Sequence, residues 1–449
     1  MTVIDEMIEK ARVAQKEIKY YNQEQTDAMV RAIGKTIYDH ARELAEEAAE
    51  ETKFGNPDAK EQKNLRFPKL MWHELKGKKS VGIIARDDVG GIIKIAHPAG
   101  VIGSIAPVTV PNILPMGNAM IALKGRNSII ISPHPKSKKS VQHTVDLMRS
   151  ALKELGAPEN LIQVVPEPSI EASQEVMEKA DVVIATGGAN LVKSAYSSGT
   201  PAFGVGAGNS QLIFEDYEDL EQFAVDTVNS RKSDNGIACI STQALIYPQK
   251  DEARIRQSLE RAGAHWIDDD ATVNKIRMAL FDENGHFAKE FAGIDAQTVA
   301  KKAGVKIPNS ACVIAVKVTK FGAAESLSAE KPCPVLSVIS YCDFDEAINI
   351  AVQNYEVAGK GHTAGIYSTN EDHVLKAGIE IPVSRLMVNQ STSDVGSGVH
   401  NTIPPTNSIG CGFWGNNSIS ETLQYKHLLN IQRVILRIDK APMPENVWE

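Results

Sequence analysis

The sequence predicts an α/β protein built on parallel sheets with helices on both faces. Three features predict it: strand-like and helix-like stretches alternate from residue 100 onward; the strand-like ones, among them GVIGSIA (100–106) and NSIIISP (127–133), are nearly continuous apolar runs; and several end in glycine turns. Strands buried on both faces lose the alternation of a half-solvated sheet, so continuous runs joined by helices point to βαβ units.

In chain order, residues 4–53 read as two helices. Met7, Ala11, Val13, Ala14 and Ile18 make one stripe, residues 22–27 supply caps and a turn, and Met29, Ile33, Ile37, Ala41 and Leu44 resume the period. VGIIA (81–85) and GIIKIA (91–96) flank Arg86-Asp87-Asp88 and read as a hairpin. After the strand at 100–106 come a helix over 116–126, the strand at 127–133, and an amphipathic helix over 136–156 closed by Gly156. A strand over 161–166, a helix over 169–180 capped by Ser169, a strand over 181–188 and strands within 201–214 complete the first pass. The second pass has helices over 217–231, 250–262 and 344–354, strands over 244–248, 312–318 and 334–340, and a polar region up to 310. Residues 421–430 read as helical, and RVILRI (433–438) is a strand without a sequential partner, to be paired with a distant edge or another subunit. Ligands of parallel sheets sit at the carboxyl ends of their strands.

Composition narrows the function. The 449 residues are 43% hydrophobic and 23% charged, a globular profile with material for two or three domains. A net charge of −8 without any run of five basic residues disfavours nucleic acid and anionic membranes as partners. The first residues carry Asp5, Glu6 and Glu9 and lack the pattern of a secretory signal, and no apolar run reaches the roughly 20 residues that span a bilayer, so a cytoplasmic protein is expected. Five cysteines form no CxxC pair, which points to separate reduced thiols and no metal site.

Several stretches could carry chemistry. In DNGIACISTQ (234–243) the thiol of Cys239 follows an Asn-Gly turn, where backbone N–H groups can favour thiolate and hold an oxyanion, although cysteines are often buried and inert. Gly187-Gly188 ends a strand and opens a helix, offering N–H groups to a phosphate, as an ordinary βα turn also would. GVGAGN (204–209) is a second glycine loop, without the spacing of a dinucleotide fingerprint or the lysine of a P-loop. The corner Pro133-His134-Pro135 precedes Lys136, Lys138 and Lys139, cations that oppose a helix dipole unless an anion lies nearby. His362 lies in a glycine-flanked turn, a place for a base titrating near neutrality or for a packed histidine. Cys333, between two prolines, looks structural.

With these pieces in order the chain resembles the aldehyde dehydrogenase superfamily, and within it the CoA-acylating branch, over essentially its whole length. The matching segments are HPAGVIGSIAPVTVP (97–111), IISPHP (130–135), ATGG (185–188), AYSSGTPAFGVGAGN (195–209), DNGIACISTQ (234–243), EKPCPVL (330–336), GHTAG (361–365), SRLMVN (384–389) and GCGFWGNNSISETL (410–423). In texture it is similar to CoA-dependent succinate-semialdehyde dehydrogenases, with sulfoacetaldehyde enzymes as neighbours.

The resemblance implies a Rossmann-like cofactor domain over 1–225, a catalytic α/β domain over 226–420, and a small β oligomerisation element made from the 86–96 hairpin and residues 421–449. It implies a homodimer or homotetramer. Cys239 would be the nucleophile, Thr109 and the Cys239 N–H would hold the oxyanion, and His362 would be the base for CoA. Ser132, His134, Pro135, Lys136, Thr186, Gly187, Gly188, Gly206, Gly208 and Glu330 would bind NADP or NAD, Glu330 at the nicotinamide ribose. Pro135 stands where NAD-dependent hydrolytic relatives carry a ribose-binding glutamate, which leaves Lys136 or Lys138 for a 2′-phosphate and leans toward NADP. Those relatives activate water with a glutamate in a Glu-Leu-Gly-Gly stretch, whereas residues 204–209 contain no carboxylate, so CoA is the expected acyl acceptor. Thr242 replaces the usual glutamate of Cys-x-x-Glu-Gln, consistent with an anionic aldehyde; neutral short aldehydes, or a non-acylating reaction, are the alternatives.

Overall fold

Side chains that take up free backbone N–H groups fix where the first helices begin. In the computed structural model, which describes residues 1–396, 400–439, 443 and 445–448, Thr2, Asn22 and Asn56 cap Val3–Ile18, Gln23–Asp39 and Pro57–Leu75. The predicted second helix breaks at His40, whose backbone leaves the helical region, so Ala41–Thr52 is a separate helix. Pro57–Leu75 was hidden from pattern reading by Pro68 inside it and by a mixed, weakly sided sequence.

The apolar runs form two parallel sheets. The first has the order Ile162–Val164, Ser128–Ser132, Val101–Ile105, Val182–Thr186, Ala202–Val205. The chain winds outward from Val101–Ile105 in one direction and then the other, which leaves a crevice beyond the carboxyl ends of Val101–Ile105 and Val182–Thr186. Ile102, Ile129, Ile131 and Ile184 pack from this sheet against Met29, Ile33 and Ile37 of the helical lead-in. Full burial of each such side chain stabilises by about 1.5–3 kcal/mol.

The second sheet has seven strands, all parallel: Ala264–Ile267, Val313–Lys317, Val335–Tyr341, Thr242–Pro248, Ser210–Phe214, Ala364–Tyr367, Leu386–Val388. Ser210–Phe214 lies here, so the sheets divide the chain at the glycine turn after Val205. The polar region before 310 contains one of these strands, Ala264–Ile267, and the helices Asp270–Leu280 and Ala296–Lys302.

A third sheet joins Gly82–Asp87, Ile92–Pro98 and Leu429–Ile435, all antiparallel. The orphan strand therefore finds a distant edge within its own chain. The expectation of a helix over 421–430 is corrected: Thr422 bridges Ile409, the Leu423 N–H donates to the Ser408 carbonyl at 2.9 Å, and only Tyr425–Leu428 turns as a short 3-10 segment. Extended pairing with 408–410 wins over the local helical pattern. Among the described residues no helix is long and apolar enough to cross a membrane.

Candidate active site

Five adjacent strands of the seven-stranded sheet, Val335–Tyr341, Thr242–Pro248, Ser210–Phe214, Ala364–Tyr367 and Leu386–Val388, are entered by the segments bearing Glu330, Cys239, Gly206–Gly208, His362 and Arg385. The site is thus assembled at amino ends of this sheet. Thr186 and Gly187, by contrast, sit at the carboxyl end of a strand of the first sheet.

The Cys239 loop is wound by three consecutive left-handed residues, Asp234 (φ 48°), Asn235 (φ 57°) and Gly236 (φ 73°). Asp, Asn and Gly tolerate that region best. Asp234, almost fully buried, accepts the Asn56 N–H at 3.0 Å and pairs with Lys63 at 2.7 Å and Lys60 at 3.3 Å. Burial pushes the Asp234 carboxyl up, but the charges of Lys63 and Lys60 and the hydrogen bonds outweigh it and hold the group below its ordinary value. Asn235 donates to the Gly293 carbonyl at 2.8 Å. Arg231, fully buried, donates to the carbonyls of Thr242, Lys331 and Cys333 and so ties the cysteine loop to the segment that carries Glu330.

Cys239 is partly exposed, and its carbonyl is pressed against Gly208, where a methyl group would come within 2.0 Å of that oxygen. The surrounding protein desolvates the sulfur. Burial, with the charges of Glu330 and Cys411, pushes the thiol up to about 12, against the pull of its own N–H and of Arg385. Desolvation thus outweighs the backbone N–H groups that would favour thiolate. Glu330 accepts the Gly208 N–H; its burial lifts it to about 7, opposed by Arg231.

The His362 turn packs on the same glycine loop. A Cβ at Gly359 would meet the Asn209 N at 2.3 Å, and one at Gly361 the Cys411 carbonyl at 1.9 Å. The Cys411 sulfur in turn accepts the Gly206 N–H. His362 is fully buried; its Nδ1 lies 3.0 Å from Thr363 Oγ1, and its Nε2 has no partner. Burial and the charge of Arg385 push the imidazole down to about 3, so it does not titrate near neutrality as the sequence suggested. Arg385 donates to the carbonyls of His362 (2.8 Å), Gly410 (2.6 Å) and Ser420 (2.9 Å).

Thr109 is half-buried and shares a small recess with Lys60, Lys63 and Asp234. A neighbouring cavity of about 600 Å³ is lined by Lys63, Arg66, Lys232, Asp234 and Asp295, among others. Thr242 does not face this space: its hydroxyl is buried and bonded to Ser230 (3.1 Å) and Thr392 (3.0 Å), so it is a packing residue.

At the crevice of the first sheet, Thr186 is 3.4 Å from Ser408 through their hydroxyls, the Gly187 N–H donates to the Val205 carbonyl at 3.1 Å, and Gly188 starts the helix Ala189–Ser197 without a side-chain cap. Nothing lies within 4 Å of a Cβ at Gly188 or Gly206. An uncapped helix start facing open space at a switch point fits a dinucleotide phosphate. His134, Pro135 and Lys136 are exposed near the end of Ser128–Ser132. Ser132 is different: it is fully buried, its hydroxyl 2.9 Å from that of Ser173, so its side chain lies behind the edge. The anion expected near the lysines is the chain's own Glu51, which accepts the N–H groups of Lys139 and Ser140 at 2.8 Å. Lys138 is paired with Glu167 at 2.7 Å, while Lys136 and Lys139 are exposed.

Sequence reading missed Arg231, Arg385, Cys411 and the Lys60–Asp234–Lys63 anchor. Arg385 and Cys411 lay inside segments already singled out, SRLMVN and GCGFWG, but a buried arginine leaves no mark in a pattern.

The pattern of the aldehyde dehydrogenase family matches residues 2–401, and the chain belongs to that family. It is 46% identical over 447 residues to a succinate-semialdehyde dehydrogenase (acetylating) of Clostridium kluyveri, covering 99% of this chain and 98% of that one. It is 38% identical over 430 residues to a sulfoacetaldehyde dehydrogenase of an Acholeplasma species, covering 94% and 89%. Among solved structures, an acetylating aldehyde dehydrogenase from Geobacillus thermoglucosidasius superposes with a TM-score of 0.94 at 33% identity, covering 98% of each chain. A Rhodopseudomonas palustris propionaldehyde dehydrogenase with bound propionyl-CoA superposes with a TM-score of 0.87 at 25% identity, covering 96% and 94%.

Proposed function

We propose that the chain is a CoA-acylating aldehyde dehydrogenase, converting an aldehyde, CoA and NAD(P)+ to acyl-CoA and NAD(P)H through a thioester on Cys239. The observation that carries this is the contact of Cys239 with a glycine turn, 206–208, that holds no carboxylate, beside the turn of His362. Attack by Cys239 Sγ on the aldehyde carbon, with the thiol proton passing to solvent, places negative charge on oxygen, which the Cys239 N–H and Thr109 receive. Bound NAD(P)+ would be held by the uncapped start of Ala189–Ser197 with Thr186, Gly187 and Gly188, by Gly206 and Glu330, and by His134, Pro135 and Lys136; its chemistry is to accept hydride. The turn 206–208 beside the Cys239 thioester offers no carboxylate to activate water, and Glu330 is engaged by the Gly208 N–H and faced by Arg231. A thiol is intrinsically the better nucleophile, so CoA takes the acyl group.

An anionic aldehyde, such as succinic semialdehyde or sulfoacetaldehyde, fits best. Support comes from Lys63, Arg66 and Lys232 around the cavity next to Thr109, where cations outnumber the carboxylates of Asp234 and Asp295. This replaces the argument from Thr242. We further read the enzyme as cytoplasmic and as a homodimer or homotetramer, the association supported by the exposed apolar side chains Ile83 and Ile435 on the three-stranded sheet and Val89 in its hairpin turn.

Absorbance of NAD(P)H tests the reading. With aldehyde but no CoA, formation should stop near one equivalent per Cys239, and CoA should restore turnover; sustained turnover to free acid would overturn it. A panel of acyl-CoA thioesters run in reverse reports the acyl group.

A further inference from the structure

The proton on His362 can be located from its surroundings. Thr363 Oγ1 has two partners, Arg385 Nε at 3.4 Å and His362 Nδ1 at 3.0 Å. Guanidinium nitrogen only donates, so Oγ1 accepts from Arg385 and keeps one hydrogen to place. If that hydrogen goes to His362 Nδ1, the ring proton sits on Nε2 and one buried group, Nε2–H, is left without a protein partner. If Nδ1–H donates to Oγ1 instead, both the threonine hydrogen and the Nε2 lone pair are left unmatched. Buried polar groups are nearly always satisfied, so the first arrangement wins, and a donor-to-hydroxyl-to-acceptor chain also strengthens itself. The unpartnered Nε2 is then a buried N–H awaiting an anionic acceptor.

We propose that His362 acts in acyl transfer as a neutral hydrogen-bond donor, its Nε2–H holding the thiolate sulfur of the acyl acceptor, with Thr363 and Arg385 as positioning residues that fix this tautomer. The proposal rests on the acyl-transfer reading above and replaces the role of base for His362. The low basicity of the ring agrees with it, since a group at about 3 holds no proton taken from a thiol. A neutral imidazole kept unprotonated by its surroundings can serve as an electrophile. The CoA thiol gives its proton to solvent; its sulfur then bonds to the thioester carbon, the bond to Cys239 Sγ breaks, and Cys239 leaves as thiolate and is reprotonated from water. No electrons change hands in this step.

The test separates acylation, read as the NAD(P)H burst without CoA, from turnover with CoA. H362A should keep the burst and lose turnover by about 10²-fold, the usual loss on removing one such donor. H362Q, which can donate from a similar position but is no base, should regain at least about tenfold of that loss. T363S should behave as the parent, whereas T363V should lower kcat with little change in burst amplitude or melting temperature. Parent turnover should rise with pH toward the thiol's own pKa of about 8.5, with no inflection near 6.5. H362Q as inactive as H362A, together with an inflection near 6.5, would make His362 a base and overturn the inference. Full turnover in H362A would instead sink the reading that His362 serves acyl transfer at all.

Discussion

Gly208 is pressed against the carbonyl oxygen of Cys239, and its own N–H is donated to Glu330. One glycine therefore sets the distance between the nucleophile and the carboxylate that raises its pKa. A methyl group there would sit 2.0 Å from the Cys239 oxygen and 3.1 Å from its Cβ, so backbone has to move.

Gly208→Ala should fold and yet lose activity by about 10²-fold, the scale of a 1 Å displacement of reacting groups. Overpacking of this kind costs about 1–3 kcal/mol of stability. Gly188→Ala, with open space around its Cβ, is the control and should leave Cys239 alkylation unchanged. Equal alkylation rates at Cys239 in the parent and in G208A would show that the contact does not position the thiol.

The pH dependence of Cys239 follows from desolvation. A thiol pushed up to about 12 is protonated at pH 7, so iodoacetamide labelling of Cys239, followed by peptide mass, should rise about tenfold per pH unit from 7 to 10 without a plateau. Exposed Cys342 should label first. Lys or Gln at Glu330 removes a negative charge that acts on the sulfur and should speed labelling at fixed pH. A plateau near pH 8 would show that the sulfur is far less enclosed than its neighbours imply.

What the sequence disclosed and what it hid divide along physical lines. Long buried strands such as Val101–Ile105 and Ser128–Ser132 were legible because they form nearly continuous apolar runs, buried at every position. The Cys239 turn was legible because Asp-Asn-Gly suits three left-handed residues in a row. Thr242 misled: adjacency to the thiol in sequence suggested a role toward substrate, but alternate residues of a strand point to opposite faces, and this one points into Ser230 and Thr392. His362 was found as a residue, but the burial and the arginine that push its imidazole down to about 3 come from another strand entry and leave no local mark. Arg385, Arg231 and Asp234 act through contacts between segments far apart in the chain, which no local pattern records.

Charge around the cavity gives a test of substrate class. Arg66 and Lys232 are exposed on its lining. The double variant R66S/K232S should lower kcat/KM for succinic semialdehyde by about 3- to 10-fold, as expected from about 0.2–1 kcal/mol per exposed charge pair. Butyraldehyde should be unaffected, and added salt should erase the difference between variant and parent. An equal fall for both aldehydes would mean that the two cations support structure and do not select charge.

Asp234 links the cysteine loop to acid stability. Its carboxyl is held below its ordinary value in the folded chain, so its contribution is present above the unfolded pKa and lost as pH falls through the lower folded one. Burial pushes Lys60 down, against the attraction of Asp234. Removing one partner of a buried pair costs about 3–5 kcal/mol, since the other charge is left without compensation. Asp234→Asn should therefore lower the urea midpoint at pH 7 and expose the Cys239 loop to proteolysis. The gap between D234N and the parent should begin to shrink below about pH 4, where the unfolded chain's carboxylate takes up a proton, and go on shrinking as pH falls through the lower folded value. A gap that stays constant down to pH 3 would mean that Asp234 holds the turn by hydrogen bonds alone, with no part played by its charge.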